Sequence, residues 1–251
     1  MIFSSNDIFL ITGASSGIGR SVCLDLNSHG AFVICCARDI SSIKSLKKES
    51  ANPENIVLEK LDLSNSAKDI SLCLKDIVKK HGKLKGMALI AGMQNIIPVS
   101  GITNSKLDEI LKVNLISNIF LAKGFMDRRI NSGPGSSLVF MSSIASKKGE
   151  AGLSMYAASK GALNSFAKSL AKEVSLNGIR VNSVVAGMVK TELLKKWDHI
   201  YTNEYLKKIN QEYPLGIGNT ESIAPSIRFL LSEDSKWITG TELLVDGGAS
   251  L

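Results

Sequence analysis

Tyr156 and Lys160 lie four residues apart in Tyr156-Ala157-Ala158-Ser159-Lys160. On a helix such residues share one face, with ~5–6 Å between β-carbons, so an ammonium can sit beside a phenol. A free phenol titrates near ~10, and a neighbouring cation favours its ionised form. The pair therefore suits proton transfer near neutrality; taken alone, the same spacing also fits any amphipathic helix. Ser142-Ser143 ends an apolar run and brings hydroxyls close to the start of the Tyr156 helix, where one can donate to a substrate oxygen. Asn114 falls on the apolar face of another helical stretch, three residues after Leu111 and seven before Leu121. A buried amide needs hydrogen-bond partners, as a core polar group or on a proton path toward Lys160.

A second constellation suits a phosphorylated ligand. The first apolar run leads into Thr12-Gly13-Ala14-Ser15-Ser16-Gly17-Ile18-Gly19, and a helical stretch follows from Arg20. Gly13 permits a tight turn, Gly17 a close approach to the backbone, and Gly19 close helix–strand contact. Free N–H groups at the positive end of a helix favour a pyrophosphate; an ordinary strand–helix turn is the alternative. At the end of the second run, where an acidic residue would bind ribose hydroxyls, the chain has Cys36-Ala37-Arg38. An arginine fork there can hold a 2′-phosphate by charge-assisted hydrogen bonds, which points to NADP(H). A solvated Arg38 is the alternative, and the adjacent Asp39 is expected to cap the next turn.

Positioning these groups falls to an alternation of elements. Strand-like runs at 8–12, 32–37, 56–61, 87–91, 137–142, 179–185 and 242–246 are mostly apolar without polar alternation, as in strands covered on both faces. Helical patterns lie near 17–28, 40–50, 65–81, 105–130, 154–177 and 220–232. Such alternation predicts an α/β fold: one domain over 1–251, a doubly wound parallel sheet of the Rossmann type with about seven strands and helices on both faces. The stretch 190–216, with Leu194, Trp197, His199, Tyr201, Tyr205 and Tyr213, is a long excursion past a strand's carboxyl end and reads as a substrate-binding lid.

Composition narrows the function classes. The chain has 251 residues, 44% hydrophobic and 21% charged, too apolar for disorder. No apolar run approaches the ~20 residues of a membrane span. The first residues lack a secretory signal, and the four cysteines show no C-x-x-C spacing, so reduced thiols in a cytoplasmic protein are expected. The net charge of +7 comes without a basic arm, aromatic–basic motif or zinc-ligand spacing, so neither nucleic acid nor a metal is expected. An acidic partner or a phosphorylated cofactor fits the charge.

With these motifs assembled, the chain resembles the short-chain dehydrogenase/reductase family over nearly its whole length. The resemblance runs through the glycine motif at Thr12 to Gly19, Asp62-Leu63, and the set Asn114, Ser143, Tyr156 and Lys160. Ser143 stands thirteen residues before Tyr156, which singles it out from Ser142. Further matches are Ala91-Gly92, Gly187 to Thr191 with Val189 inside it, and the closing Ile238-Thr239-Gly240 to Gly248. The resemblance implies hydride exchange between NADP(H) and a ketone or secondary alcohol. It assigns Tyr156 as acid/base and Ser143 as the group polarising the carbonyl oxygen. Lys160 lowers the Tyr156 pKa and binds the nicotinamide ribose, and Asn114 holds a water of the proton relay.

Asp62 is expected at the adenine, Ala91-Gly92 beside the ribose, and Gly187, Val189 and Thr191 around the nicotinamide. The pattern is similar to 3-oxoacyl-(acyl-carrier-protein) reductases, which implies a small-molecule or acyl-thioester carbonyl substrate and a homotetramer. Two departures stand out: Leu89-Ile90 replaces the usual pair of asparagines, and Ala186 replaces a proline. They imply altered packing and a looser nicotinamide pocket, and they motivate the alternative of a non-catalytic dinucleotide-binding sensor or scaffold.

Overall fold

The computed structural model describes residues 2–192 and 202–251. Seven strands form one parallel sheet: β1 Ile8–Thr12, β2 Phe32–Ala37, β3 Ile56–Lys60, β4 Gly86–Leu89, β5 Ser137–Ser143, β6 Arg180–Ala186 and β7 Glu242–Val245. Their spatial order is β3-β2-β1-β4-β5-β6-β7, so the direction of winding reverses between β1 and β4. A crevice opens at the carboxyl ends of the strands beside such a reversal.

The unbroken apolar runs are explained by two cores. Phe9 and Ile11 of β1 enter one cluster with Val22, Leu26, Ile223 and Ile227, while Leu10 between them enters the other with Leu74, Phe125, Phe140 and Leu163. Each fully buried Leu or Phe contributes about 1.5–3 kcal/mol, so every strand residue of β1 that leaves solvent is used on one face or the other.

Among the described helices, α1 Gly17–Ser28, α3 Ala67–His81 and α6 Ser154–Val174 fall where the periodicity places them, as does α8 Thr220–Leu231. Three segments differ. The pattern at 40–50 resolves into a 3-10 turn, Ile40–Ile43, and a four-residue helix, α2 Leu46–Glu49. Serine hydroxyls there bond locally to Asp39 and compete with a continuous helix. The expected helix at 105–130 is two, α4 Asn104–Leu111 and α5 Ser117–Phe125, joined by a π-turn at Lys112–Ile116. Within the excursion a helix forms, α7 Asn203–Gln211.

Candidate active site

β1 ends at the glycine loop, and the loop folds as close contact demands. Gly13 has φ +74°, and a β-carbon there would stand 2.9 Å from the Ala91 backbone. A β-carbon on Gly19 would lie 2.2 Å from the Gly13 carbonyl oxygen, so only glycine lets α1 start this close to β1. Ser16 precedes α1 in extended conformation and makes no side-chain cap, and the first turn carries no acidic residue. By contrast, Ser66, Thr103 and Asn219 cap α3, α4 and α8. Uncapped N–H groups at a positive helix end are anion-binding groups. The segment after β6 arches over this loop, with the Thr191 methyl beside Gly17.

A crevice of about 670 Å³ runs along these strand ends. Its wall includes Gly13, Ser15, Ser16, Gly17, Ile18, Gly19, Arg38, Asp62 and Leu63, then Ala91, Gly92, Ser143, Tyr156, Lys160, Gly187, Val189 and Thr191. Every proposed cofactor residue therefore faces one space. Arg38 is exposed at one end. Asp39 beside it is turned away, accepting from the backbone N–H and hydroxyl of Ser41, as its capping role predicts. Asp62 accepts from Ser64 N–H at 2.9 Å and Ser64 Oγ at 2.7 Å; these bonds, with Arg38 nearby, hold its carboxyl below the usual range.

At the other end α6 sets the reacting groups against β5. Lys160 is buried, 3% exposed, and donates to the Met141 carbonyl at 2.8 Å. Burial pushes its pKa down to about 8. Its Nζ lies 5.8 Å from the centre of the Tyr156 ring. A β-carbon at Gly92 would stand 3.3 Å from that Nζ and 3.2 Å from Asn114 Oδ1, so glycine leaves the ammonium uncovered from that side. Ser143 Oγ accepts from the Ala145 N–H at 3.2 Å, which leaves its proton for the Tyr156 phenol.

The expectation that Lys160 lowers the phenol's pKa is not met in the protein alone. Burial raises it and the Ser143 hydrogen bond opposes that rise, while the ammonium gives one of its three protons to the Met141 carbonyl. The phenol so held is an acid at neutral pH, the form that gives a proton to a carbonyl.

Asn114 does not line the crevice; it stands one layer behind. Fully buried in the π-turn, its amide grips the loop after β4, accepting from Met93 N–H at 2.8 Å and donating to Met93 O at 2.9 Å. It also donates to Ser159 Oγ at 3.1 Å, tying the π-turn to α6.

The loop after β4, entered through Leu89-Ile90, is tied to β1: Thr12 Oγ1 accepts from Ile90 N–H at 3.0 Å and Ala91 N–H at 3.1 Å. Leu89 enters the core and Ile90 the crevice wall. Nothing in the sequence signals that tie, nor that Tyr213, read as part of the lid, anchors the excursion instead: its buried phenol oxygen accepts from Met188 N–H at 2.9 Å. The base of the excursion is pinned by Lys190 N–H to Gly218 O, 2.9 Å, and Gly218 N–H to Met188 O, 3.1 Å. Leu194, Trp197, His199 and Tyr201 of the expected lid lie outside the described residues.

Among the described residues no cluster of three or more His, Cys, Asp or Glu could hold a metal, and no helix is long and apolar enough to cross a membrane.

Comparisons place this geometry among known proteins. The family model described as enoyl-(acyl carrier protein) reductase matches residues 13–250. The 3-oxoacyl-[acyl-carrier-protein] reductase of Buchnera aphidicola is 30% identical over 240 residues, 95% of each chain. Human (3R)-3-hydroxyacyl-CoA dehydrogenase is 30% identical over 95% of this chain and 94% of its own. L-xylulose reductase of Caenorhabditis elegans is 30% identical over 96% and 94%. A short-chain dehydrogenase/reductase (glucose/ribitol dehydrogenase) from Brucella melitensis superposes with a TM-score of 0.90 over the whole of both chains, at 25% identity. With the glycine loop, the seven-stranded parallel sheet and these relatives in agreement, the chain belongs to the short-chain dehydrogenase/reductase family, oxidoreductases that act on CH–OH and C=O groups with a nicotinamide dinucleotide.

Proposed function

We propose that the protein reduces the ketone of a 3-oxoacyl thioester to a secondary alcohol with NADPH. The observation that carries this reading is the convergence of Tyr156, Ser143 and Lys160 on one crevice wall, with the Ser143 proton directed at the phenol. The crevice fits a dinucleotide: the glycine loop presents uncapped N–H groups midway, Arg38 stands at one end and the Tyr156 phenol at the other. When bound, the nicotinamide supplies the hydride.

The chain's own residues do the rest. Ser143, whose hydroxyl donates to the phenol in the protein alone, turns that hydrogen bond to the ketone oxygen when substrate enters, and Tyr156 gives that oxygen its proton. Lys160, charged below about 8 and uncovered on the side where Gly92 lacks a β-carbon, would hold the nicotinamide ribose and balance charge beside the phenol. Asn114 holds the π-turn, the Met93 loop and α6 in one register and anchors the proton path behind Lys160. Arg38 reads the 2′-phosphate, and Asp62 takes the adenine end. Met93, Val113, Leu153 and Met188 give the substrate end an apolar lining suited to an acyl chain. The excursion at 190–216 serves as its lid.

Relatives named for acyl-carrier-protein and for coenzyme A substrates share the 3-oxoacyl thioester. The adjacent Arg128 and Arg129, both exposed, could dock an acidic carrier; Arg129 also donates to Asp127 through its Nε at 2.9 Å and Nη2 at 2.6 Å. An intact Tyr156–Ser143–Lys160 set argues against a non-catalytic sensor. Assembly as a homotetramer through α4, α5 and α6, in the cytoplasm, belongs to the same reading. Ile116, 43% exposed at the π-turn, suits such an interface, and sedimentation velocity measures its stoichiometry.

The test is turnover of acetoacetyl-coenzyme A, acetoacetyl carrier protein, ethyl acetoacetate and L-xylulose with NADPH and with NADH, followed by nicotinamide absorbance. Thioester reduction with NADPH preferred supports the proposal; reduction of L-xylulose alone overturns its substrate class, and no ketone reduction overturns it entirely.

A further inference from the structure

Behind Ser143, on the side away from the crevice, runs a hydrogen-bonded chain that starts on the last strand. Glu242 opens β7 at the sheet edge, with its side chain only 10% exposed. Its carboxylate is bracketed by Lys147, at 2.6 Å, and by Lys168. The same carboxylate accepts from Asn164 Nδ2 at 2.8 Å.

Asn164 lies on α6, eight residues beyond Tyr156 and four beyond Lys160, and is 4% exposed. Its second amide proton goes to Ser146 Oγ at 3.1 Å. With its oxygen accepting, Ser146 donates its own proton to the Ser143 carbonyl at 2.7 Å. The direction of every bond is therefore fixed from one end to the other: amide to carboxylate, amide to hydroxyl, hydroxyl to carbonyl.

Asn164 holds this orientation although, among the described residues, its buried Oδ1 has no partner. A buried amide left half satisfied destabilises the fold relative to an apolar side chain of similar size. Its position is accounted for by what the amide nitrogen does.

We propose that Glu242, acting through Asn164 and Ser146, is a positioning residue for Ser143: it fixes the peptide plane at the end of β5 so that the Ser143 hydroxyl stays aimed at the Tyr156 phenol and the substrate oxygen. The proposal rests on the reading of Ser143 as the group that polarises the carbonyl. Ser143 sits extended, φ −148° and ψ 151°, where the strand gives way to the turn Ile144–Ser146. Ser143 pairs with Ala186 on the last rung between β5 and β6, so the Ser146 bond adds a hold on the turn that follows, whose Ala145 N–H donates to the Ser143 hydroxyl; a shift of that turn withdraws the N–H and lets the hydroxyl rotate off its line to Tyr156. Asn164 shares α6 with Tyr156 and Lys160, so the chain references the serine to the same rigid element that carries its partners. The carboxylate in turn ties that element to the edge strand.

The experiment compares Ser146→Ala, Asn164→Leu, Glu242→Ala and Glu242→Gln, with Ser143→Ala as the control for the underlying reading. For each, kcat and KM are measured with acetoacetyl-coenzyme A and NADPH, NADPH affinity by fluorescence, and thermal unfolding by circular dichroism. The Tyr156 titration is followed by NMR of ring-labelled tyrosine, assigned with Tyr156→Phe.

Asn164→Leu and Glu242→Ala are expected to lower kcat about 10-fold, since small misplacements of reacting groups cost at least that much. NADPH affinity stays at the wild-type value, and the Tyr156 midpoint rises as the Ser143 hydrogen bond is lost. Glu242→Gln, whose amide oxygen still accepts from Asn164, recovers most of the rate. Ser146→Ala, which removes one hydroxyl and nothing of the core, gives the same signature if Asn164→Leu fails to fold. A lowered unfolding temperature with unchanged kcat and Tyr156 midpoint overturns the proposal and leaves the chain a structural brace.

If Ser143→Ala keeps the wild-type rate, the reading of Ser143 falls; if Ser143→Ala is inactive and the other variants are normal, only the positioning role falls. The Tyr156 midpoint needs no substrate and decides the matter even with a thioester the enzyme does not turn over.

Discussion

Along the glycine-loop wall of the crevice the contacts offered to a ligand are mostly backbone, shaped by what is missing: a β-carbon at Gly13 or Gly19, a side-chain cap on α1. Along the α6 wall they are side chains, each held by a second group: Lys160 by Met141, Ser143 by Ala145 and Ser146, with Asn114 tying the neighbouring loop to α6. The first wall has little to reorganise and tolerates almost no added volume. The second has its groups poised by hydrogen bonds and fails by small displacements. Binding and chemistry should therefore separate by mutation.

The largest effect should come from the reacting wall. Tyr156→Phe removes one hydroxyl and should lower ketone reduction about 10³-fold, the scale of general acid catalysis, with NADPH affinity retained. Equal loss of binding and rate would show that the walls are not separable. On the opposite wall, Gly19→Val puts atoms where 2.2 Å remains, so dinucleotide binding should be lost in calorimetry and stability should fall by about 1–3 kcal/mol in urea unfolding. Normal binding by this variant would mean that α1 can retreat from β1. Smaller again, Arg38→Ala should weaken NADPH about 10-fold, the value of one charge-assisted hydrogen bond, and leave NADH unchanged. Equal losses for the two cofactors would remove Arg38 from phosphate recognition.

The same contrast explains what could be read in advance. All seven strands are found within a residue or two of their apolar runs; the inner ones, such as β1 and β4, are buried on both faces and admit little but aliphatic side chains, whereas the outer β3 and β7 are only partly covered. The glycine loop is legible because its glycine spacing and its place between strand and helix are local, even though the atoms that crowd Gly13 and Gly17 come from Ala91 and Thr191. Spacing to Tyr156 picks Ser143, and in the fold it is Ser143 whose hydroxyl meets the phenol, while Ser142 Oγ turns to the Lys160 carbonyl at 3.5 Å.

What escaped depends on contacts distant in sequence. The π-turn at Lys112–Ile116 continues an ordinary helical pattern, and it accompanies contacts of Asn114 with Met93 and Ser159 that are distant in sequence. Thr12 ties β1 to residues 78 and 79 positions away by accepting their N–H groups. Nor does anything local pair Asn164 with Glu242 on the final strand. The side-chain wall is the part that sequence periodicity cannot spell out.

The account depends most on Lys160 being buried beside the phenol and uncovered toward the crevice. Nitrogen-15 NMR of ζ-labelled lysine, assigned with Lys160→Met, measures its titration directly. A midpoint about 8 is predicted, with ketone reduction level below that pH and declining above it as the ammonium loses its proton. A midpoint near the ordinary ~10.4 of a solvated lysine, with a rate indifferent to pH through that range, would contradict the arrangement on which the chemistry rests.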